Sequence, residues 1–256
     1  MDFSNKYILA FAFGLCLVCS MAVSSLSVAL KERQEINKTL DQRTNVLKVA
    51  GIIDATTKLT KEEVDEYFTQ IEELVVDRET GEIVQGADPA DVDPAKDAKD
   101  PELSSEAPAA LAKRTQVRRL PNQLEVYRVN VEGSECWVMP IWGNGLWSTL
   151  YGYLALAPDA QTVVGITYYD HGETPGLGGE VDNPAWKAQW PGKQAYSADG
   201  DPKVTVVKAG TVTDKSYQVD GLSGATITGN GVAAMVELWL SDAGYGTFLK
   251  KQATQG

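Results

Sequence analysis

A single histidine, His171, and three cysteines, Cys16, Cys19 and Cys136, occur in the whole chain. That scarcity excludes any metal centre that needs two histidines, and no thiolate metal site follows from three cysteines of which two lie inside one apolar run. Cys16 and Cys19 share one apolar run and Cys136 stands alone, so no disulfide framework follows. A Ser-His-Asp hydrolase would have to use His171, yet "GLSGA" lacks the G-x-S-x-G elbow. There is no P-loop, and no G-x-G-x-x-G turn leads from a strand into a helix. The Gly-rich "PGLGGE" at 175–180 is followed by nothing resembling a Rossmann helix. Cations are also in the minority. With 23 Lys and Arg against 35 Asp and Glu, the net charge is −12, which speaks against nucleic acid and against adhesion to an anionic membrane surface. Side chains alone do not supply the chemistry here. If the protein does any chemistry, a cofactor supplies it.

What the chain does have begins at the N-terminus. "YILAFAFGLCLVCSMAVSSLSVAL", residues 7–30, is uncharged and bracketed by Lys6 and by Lys31 and Arg33. About two dozen such residues make a helix long enough to cross a membrane. "AVSS" near Ala22 resembles a signal-peptidase site, so a cleaved leader is the alternative to an anchor. A lipoprotein reading fails, because Leu17 and Val18 precede Cys19 where small residues would be required. Gly14, Ser20, Ser24 and Ser27 are residues that let membrane helices approach one another, so the span is expected to pack against partner subunits. Basic residues flank both ends, and the positive-inside rule does not choose an orientation.

Beyond the span, Ile36, Leu40, Val46, Leu47 and Ala50 continue a helix to Gly51. A capping box, Thr60 and Glu63, opens a second helix with apolar residues at Val64, Tyr67, Phe68, Ile71, Leu74 and Val75. Residues 78–113 are rich in Asp, Ala and Pro and read as a long polar loop with short helical turns. From Leu124 the texture is that of strands: "LEVYRVNV", "CWVMPI", "LYGYLALA", "TVVGITYY" and later "VTVVK". Helical pieces follow at Ala185 to Gln189 and from near Asn230. The expected class is α+β, an antiparallel-sheet domain behind an N-terminal transmembrane helix. Its expected divisions are 1–33 (anchor), 34–113 (helical and acidic region) and 114–256 (binding domain).

Three segments look built to hold a cofactor. "GNGLWS" presents Leu146 and Trp147 from a turn with two glycines, and reads equally as a tight hairpin with a core tryptophan. "HGETPGLGG" packs His171, Glu173 and Thr174 before Leu177 and Gly178; its glycines permit close approach to a ligand, although a surface turn would also account for them. "DGLSGATITGN", from Asp220, feeds a helix whose apolar stripe is Val232, Met235, Val236 and Trp239. A helix N-terminus favours an anion, a phosphate above all. Plain capping by Thr228 or Asn230 is the alternative.

Together the three segments carry a resemblance. "DGLSGAT" resembles the flavinylation pattern Asp-x-x-Ser/Thr-Gly-Ala-Thr/Ser of the FMN-binding domain family. "HGETPGLGGEVDNPAW" and "GNGLWSTLYGYLAL" are similar to two further signatures of that family. With the anchor and the acidic region, nearly the whole chain resembles the C-subunit family of sodium-translocating NADH:quinone reductases. The paralogous G-type component of Rnf electron-transport complexes shares the anchor and flavin motif, but "GLWSTLYG" and "LGGEVDNPAWKAQWPGK" match the reductase version better. The resemblance implies covalent FMN, joined by a phosphoester to Thr226, with Asp220 the motif acid and Ser223, Gly224 and Ala225 shaping the loop. Thr228 adjoins the acceptor, and Leu146, Trp147, Glu173, Thr174, Leu177 and Gly178 are expected around the flavin ring. Lys208, after a strand, is a further candidate to face the phosphate or the ring. The implied function is electron transfer within a complex that oxidises NADH, reduces quinone and exports sodium; this chain itself shows no NADH or quinone site and no sodium pathway. Implied partners are other membrane and flavin-bearing subunits, with a flavin transferase during maturation. The implied location is a bacterial inner membrane, single-pass, with a periplasmic soluble domain. The rival from another class is a flavin-free anchored assembly subunit in which "SGAT" merely caps a helix.

Overall fold

The computed structural model describes residues 4–54, 56–131 and 133–254; the chain ends included in the expected divisions, 1–3 and 255–256, lie outside the described residues. Two compact units are present, Met1–Gln42 and Arg43–Gly256.

The first unit belongs to helix α1 (Asn5–Val49). The uncharged run is helical throughout, and its large side chains, Phe13 and Val28 among them, are exposed. By length and composition α1 can cross a membrane.

The second unit opens on the last turns of α1, which stop at the expected glycine. Gly51 has φ +74°; its N–H bonds Lys48 O at 3.1 Å and the Ile52 N–H bonds Leu47 O at 3.0 Å. This paired closure satisfies two orphan carbonyls, and glycine takes the left-handed position without a Cβ clash. Helix α2 (Lys61–Phe68) starts at the expected capping box, with the Thr60 N–H donating to Glu63 Oε2 at 2.7 Å and the Glu63 N–H to Thr60 Oγ1 at 3.3 Å. Its end corrects the expectation of a helix running to Val75. The chain leaves the helix at Thr69, and Ile71–Asp77 is strand β1. Ile71, Val75 and Val76 are β-branched, and a full antiparallel register with the later strand at 123–129 outweighs the fortuitous helical spacing.

The polar stretch 78–113 folds mostly as expected. It holds a 3₁₀ turn (Pro89–Asp91), α3 (Pro94–Asp97), β2 (Ser104–Glu106) and most of α4 (Ala109–Thr115). Asp88 and Asp93 cap its two turns. There follow β3 (Arg119–Pro121), β4 (Gln123–Val131), β5 (Ser134–Asn144), β6 (Thr149–Leu156) and β7 (Val163–Asp170). A second 3₁₀ turn (Gly178–Asp182), α5 (Pro184–Lys187), β8 (Thr205–Val206), β9 (Gln218–Val219), α6 (Thr226–Leu240) and α7 (Gly246–Ala253) complete the described chain.

Strands β1-β4-β5-β6-β7 form one sheet in that order, every pair antiparallel. The fold is α+β, as expected. Alternation along β7 sends Ile166 and Tyr168 to one face and Gly165 and Thr167 to the other. The first face packs with α6 in the main core. Trp239 lies 4.1 Å from Trp142, ring to ring, and its Nε1–H donates to Trp142 O at 2.7 Å. Helix α6 is apolar almost all round because β5, β8 and α4 enclose it. The opposite face takes the end of α1: Val46 and Leu47 are fully buried, Thr167 Oγ1 donates to Asn45 Oδ1 at 3.3 Å, and Arg43 lies 4.6 Å over the Phe68 ring.

One end of this sandwich positions the site. The β5–β6 turn at 145–148, the end of β7 at Asp170 and the first turn of α6 all lie there. Gly231 of α6 is so close to β5 that a Cβ would stand 2.2 Å from Asn144 O.

Candidate functional site

Helix α6 begins earlier than its glycines suggest. Expected near Asn230, it starts at Thr226, with Ala225 in the N-cap position and no side-chain cap bond. Neither Thr228 nor Asn230 caps it; both lie inside the helix. The first amide after Ala225 to find a carbonyl is that of Gly229, on Ala225 O at 3.0 Å. The N–H groups of Thr226, Ile227 and Thr228 have no acceptor among the described residues. An uncapped helix start of this kind attracts an anion through its free donors and its macrodipole.

Glycine at 224 makes the turn possible. Its φ of +75° suits a residue without Cβ, and the N–H of Ala225 closes on Leu222 O at 3.1 Å. Ser223, Gly224, Thr226 and Ile227 are exposed, while Ala225 is buried. Asp220 does not reach toward Thr226. Its Oδ1 accepts from the Gly210 N–H at 2.7 Å, its N–H donates to Gln189 Oε1 at 2.9 Å, and its carbonyl accepts from Trp186 Nε1 at 2.9 Å. The motif acid is thus an internal brace for the 208–210 turn. The same turn runs against Gly221, where a Cβ would stand 2.2 Å from Val207 O and 3.3 Å from Lys208 C. The Lys208 backbone therefore adjoins the loop, and its side chain is exposed.

The three loops are brought together, and Glu173 does most of the joining. Its Oε1 accepts from the Trp147 and Ser148 N–H groups at 2.8 and 3.2 Å, and its Oε2 accepts from Thr228 Oγ1 at 2.6 Å. Burial on its own would raise the pKa of this carboxyl. The Thr228 hydroxyl and the backbone N–H groups of Trp147, Leu146 and Ser148 outweigh it and hold the group below the ordinary glutamate value. Cβ atoms at Gly145 or Gly178 would come within 2.6 or 2.4 Å of the carboxylate oxygens, which accounts for two of the glycines in these motifs. Ser148 Oγ accepts from the Gly172 N–H at 2.6 Å, a second tie between the first two loops. Leu177 Cδ2 lies 3.2 Å from the position a Cβ on Gly224 would take, linking the second loop to the third.

His171 supports this arrangement from behind. Its Nδ1 accepts from the Glu173 N–H at 3.2 Å and its Nε2 lies 2.8 Å from Asp182 Oδ2. The tautomer that satisfies both carries its proton on Nε2. Thr174 is exposed, and its carbonyl accepts from the Leu177 and Gly179 N–H groups at 3.1 and 2.9 Å.

Around the uncapped turn lies an apolar rim. Trp147 is 71% exposed, Ile227 58%, Leu146 48% and Leu177 45%. The turn "GNGLWS" is a hairpin, but its tryptophan is not in the core. Exposed apolar residues collected in one place mark a binding surface. Ile227, Ser148 and Asp182 lay within the segments singled out from sequence, yet nothing in their spacing revealed their parts. The arrangement suits a ligand with an anionic end and a broad flat apolar body, beside the exposed Thr226 hydroxyl.

Residues 145–241 match the family described as the FMN-binding domain. Over 240 residues the chain is 42% identical to the C-subunit of the Na(+)-translocating NADH-quinone reductase of Yersinia pestis, covering 93% of this chain and 89% of that one. It is 43% identical to the protein of the same name from Vibrio parahaemolyticus, at 97% and 95% coverage. Against that of Pseudomonas aeruginosa it is 44% identical, at 96% and 95%. The crystal structure of Shewanella oneidensis NqrC superposes with a TM-score of 0.73 at 33% identity, covering 84% of this chain and 99% of that one.

Proposed function

Because the chain belongs to the C-subunit family of Na(+)-translocating NADH-quinone reductases, we propose that its Thr226 carries FMN covalently, through a phosphoester on the side-chain oxygen. The protein is a flavin-bearing subunit of that oxidoreductase complex, neither the G-type component of an Rnf complex nor a flavin-free assembly subunit. Other subunits of the complex are its partners. When bound, FMN supplies the electron-transfer chemistry that no side chain here could supply.

The observation that carries the attachment is the uncapped first turn of α6, with an exposed threonine hydroxyl at its head and an apolar rim around it. The free N–H groups of Thr226, Ile227 and Thr228 stabilise the phosphate. Leu146, Trp147, Leu177 and Ile227, all exposed, would hold the ring and exclude water from it. Glu173 and Gly178 hold the first two loops closed on α6, with Thr174 fixing the Leu177 turn; Asp220 braces the turn that carries the exposed Lys208, which would be available to hold the phosphate or the ring. Helix α1 anchors the subunit in a bacterial inner membrane with the second unit on the periplasmic side, where a flavin transferase loads it.

Denaturing gels and peptide mass mapping test this reading. Expressed with the transferase, the wild type gives a fluorescent band with FMN on the Thr226 peptide. Thr226→Ser keeps the oxygen and retains flavin at least in part. Thr226→Val loses it while the domain stays folded, because Thr226 is exposed and caps nothing. A dark wild-type band, or flavin on the Thr226→Val protein, overturns the assignment.

A further inference from the structure

The first turn of α6 carries two threonine hydroxyls that lie two residues apart. On a helix, that spacing turns a side chain about 200° around the axis, so the two face opposite ways. Thr226 is exposed and Thr228 is 1% exposed. The Thr228 hydroxyl donates to Glu173 Oε2 at 2.6 Å, and a Cβ on Gly178 would lie 2.7 Å from that same hydroxyl oxygen. The second loop closes over it. Through its other oxygen, Glu173 grips the Trp147 and Ser148 amides at 2.8 and 3.2 Å. One carboxylate thereby fixes both the rotation of the helix start and the position of the apolar rim.

We propose that the Glu173–Thr228 hydrogen bond is the selector of the modified hydroxyl: it locks Thr228 inward and so presents Thr226 outward. The proposal rests on the reading of Thr226 as the acceptor. Both residues of the lock are positioning residues and neither takes part in bond making. The hydrogen bonds that the Glu173 carboxylate accepts hold it below the ordinary glutamate value and make it a weak base, and the Thr228 oxygen beside it is covered by the chain.

The step they serve is redox-neutral. Esterifying the free phosphate of FMN would have to expel water, so the donor is a phosphoanhydride of FMN, a flavin dinucleotide. The Thr226 oxygen bonds to the FMN phosphorus and the anhydride P–O bond breaks. The departing nucleoside monophosphate keeps the electron pair, and the hydroxyl proton passes to a base of the transferase.

The test uses the full-length chain, made without the transferase and held in detergent, then given the transferase and flavin adenine dinucleotide. Loading rate is read from in-gel fluorescence and intact mass, the site from peptide mapping, and the lock from amide exchange at Trp147 and Ser148 before loading. Thr228→Val, close to threonine in shape, should load roughly tenfold more slowly, the order expected for loss of a hydrogen bond to a charged group. Its Trp147 and Ser148 amides should exchange faster. Thr228→Ser, which restores the hydroxyl, should recover both rates, and Glu173→Ala should behave like Thr228→Val. Loading of Thr228→Val at the wild-type rate, or no recovery in Thr228→Ser, overturns the selector while leaving the acceptor standing. A wild-type chain that takes no flavin on Thr226 overturns the acceptor, and the selector with it.

Discussion

Gly231→Ala and Gly229→Ala, two changes of one methyl group on the same helix, should act in opposite directions. A Cβ at Gly231 would stand 2.2 Å from Asn144 O and 3.3 Å from Gly145 Cα. Carbon and carbonyl oxygen need about 3.3 Å even in a close contact, so α6 or the β5 end must retreat by roughly 1 Å. Both are backbone, held by the Trp239–Trp142 bond and the sheet, and neither yields freely. Overpacking of this kind costs about 1–3 kcal/mol, which for a unit of this size lowers Tm by roughly 3–10 °C. At Gly229 the nearest atom is Val206 Cγ1 at 3.6 Å, an ordinary contact. Alanine there removes the entropic cost of a helical glycine and should stabilise by about 0.5–1 kcal/mol. Thermal unfolding of the full-length protein in detergent, followed by near-ultraviolet circular dichroism, measures both. The retreat at Gly231 also draws the Thr226 turn away from Trp147, so flavin loading should fall in that variant. Equal shifts of one sign, or a Gly231→Ala change within about 0.5 kcal/mol of the wild type on the scale of a neutral surface substitution, would refute the close-approach argument.

Two further outcomes are expected. Burial raises the Glu125 carboxyl to about 7 from 4.5, against the opposing bond from Tyr127 Oη at 2.7 Å; the folded protein therefore holds this proton more tightly than the unfolded chain, and stability falls as pH rises from 4.5 to 7. Glu125→Gln should then stabilise at pH 8 by up to about 3 kcal/mol and change little at pH 4, and an equal effect at both pH values in denaturant titrations would contradict it. Residues 7–30 should remain in the mature protein, so intact mass should include them, and a chain starting near Ser24 would mean that a leader is removed instead.

The strands and the three cofactor segments were legible because their signals are local: β-branched runs broken by turn residues, and glycines clustered beside polar groups. The boundaries of α6 and β1 were not. Gly224, Gly229 and Gly231 lower helix propensity so far that Asn230 looked like the start, yet burial of Ala225 and Thr228 and the contact with Asn144 hold the extra turn in place. Ile71, Leu74 and Val75 satisfy a helical period and a strand alike, and only pairing with β4 decides between them. Glu173 stood out as a site residue, but its role as a clip depends on Thr228, 55 positions away. Trp147 illustrates the limit in the other direction, since no pattern tells an exposed aromatic residue in a turn from one in the core.

The placement of α6 in the chain bears on how the protein is made. All five strands of the main sheet precede Thr226, and the helix that covers one of their faces follows them. During synthesis the apolar side chains of Met139, Ile141, Leu154 and Ile166 wait without their cover until residues 226–240 have left the ribosome. A nascent chain in that condition is sticky and open to misassembly. The first turn of α6, with its exposed Thr226, takes shape in the same event that closes the core, so on the proposed reading the acceptor loop reaches its folded form only once the core has closed. If Thr226 carries FMN as proposed, the flavin content of each copy would then report that its core has closed.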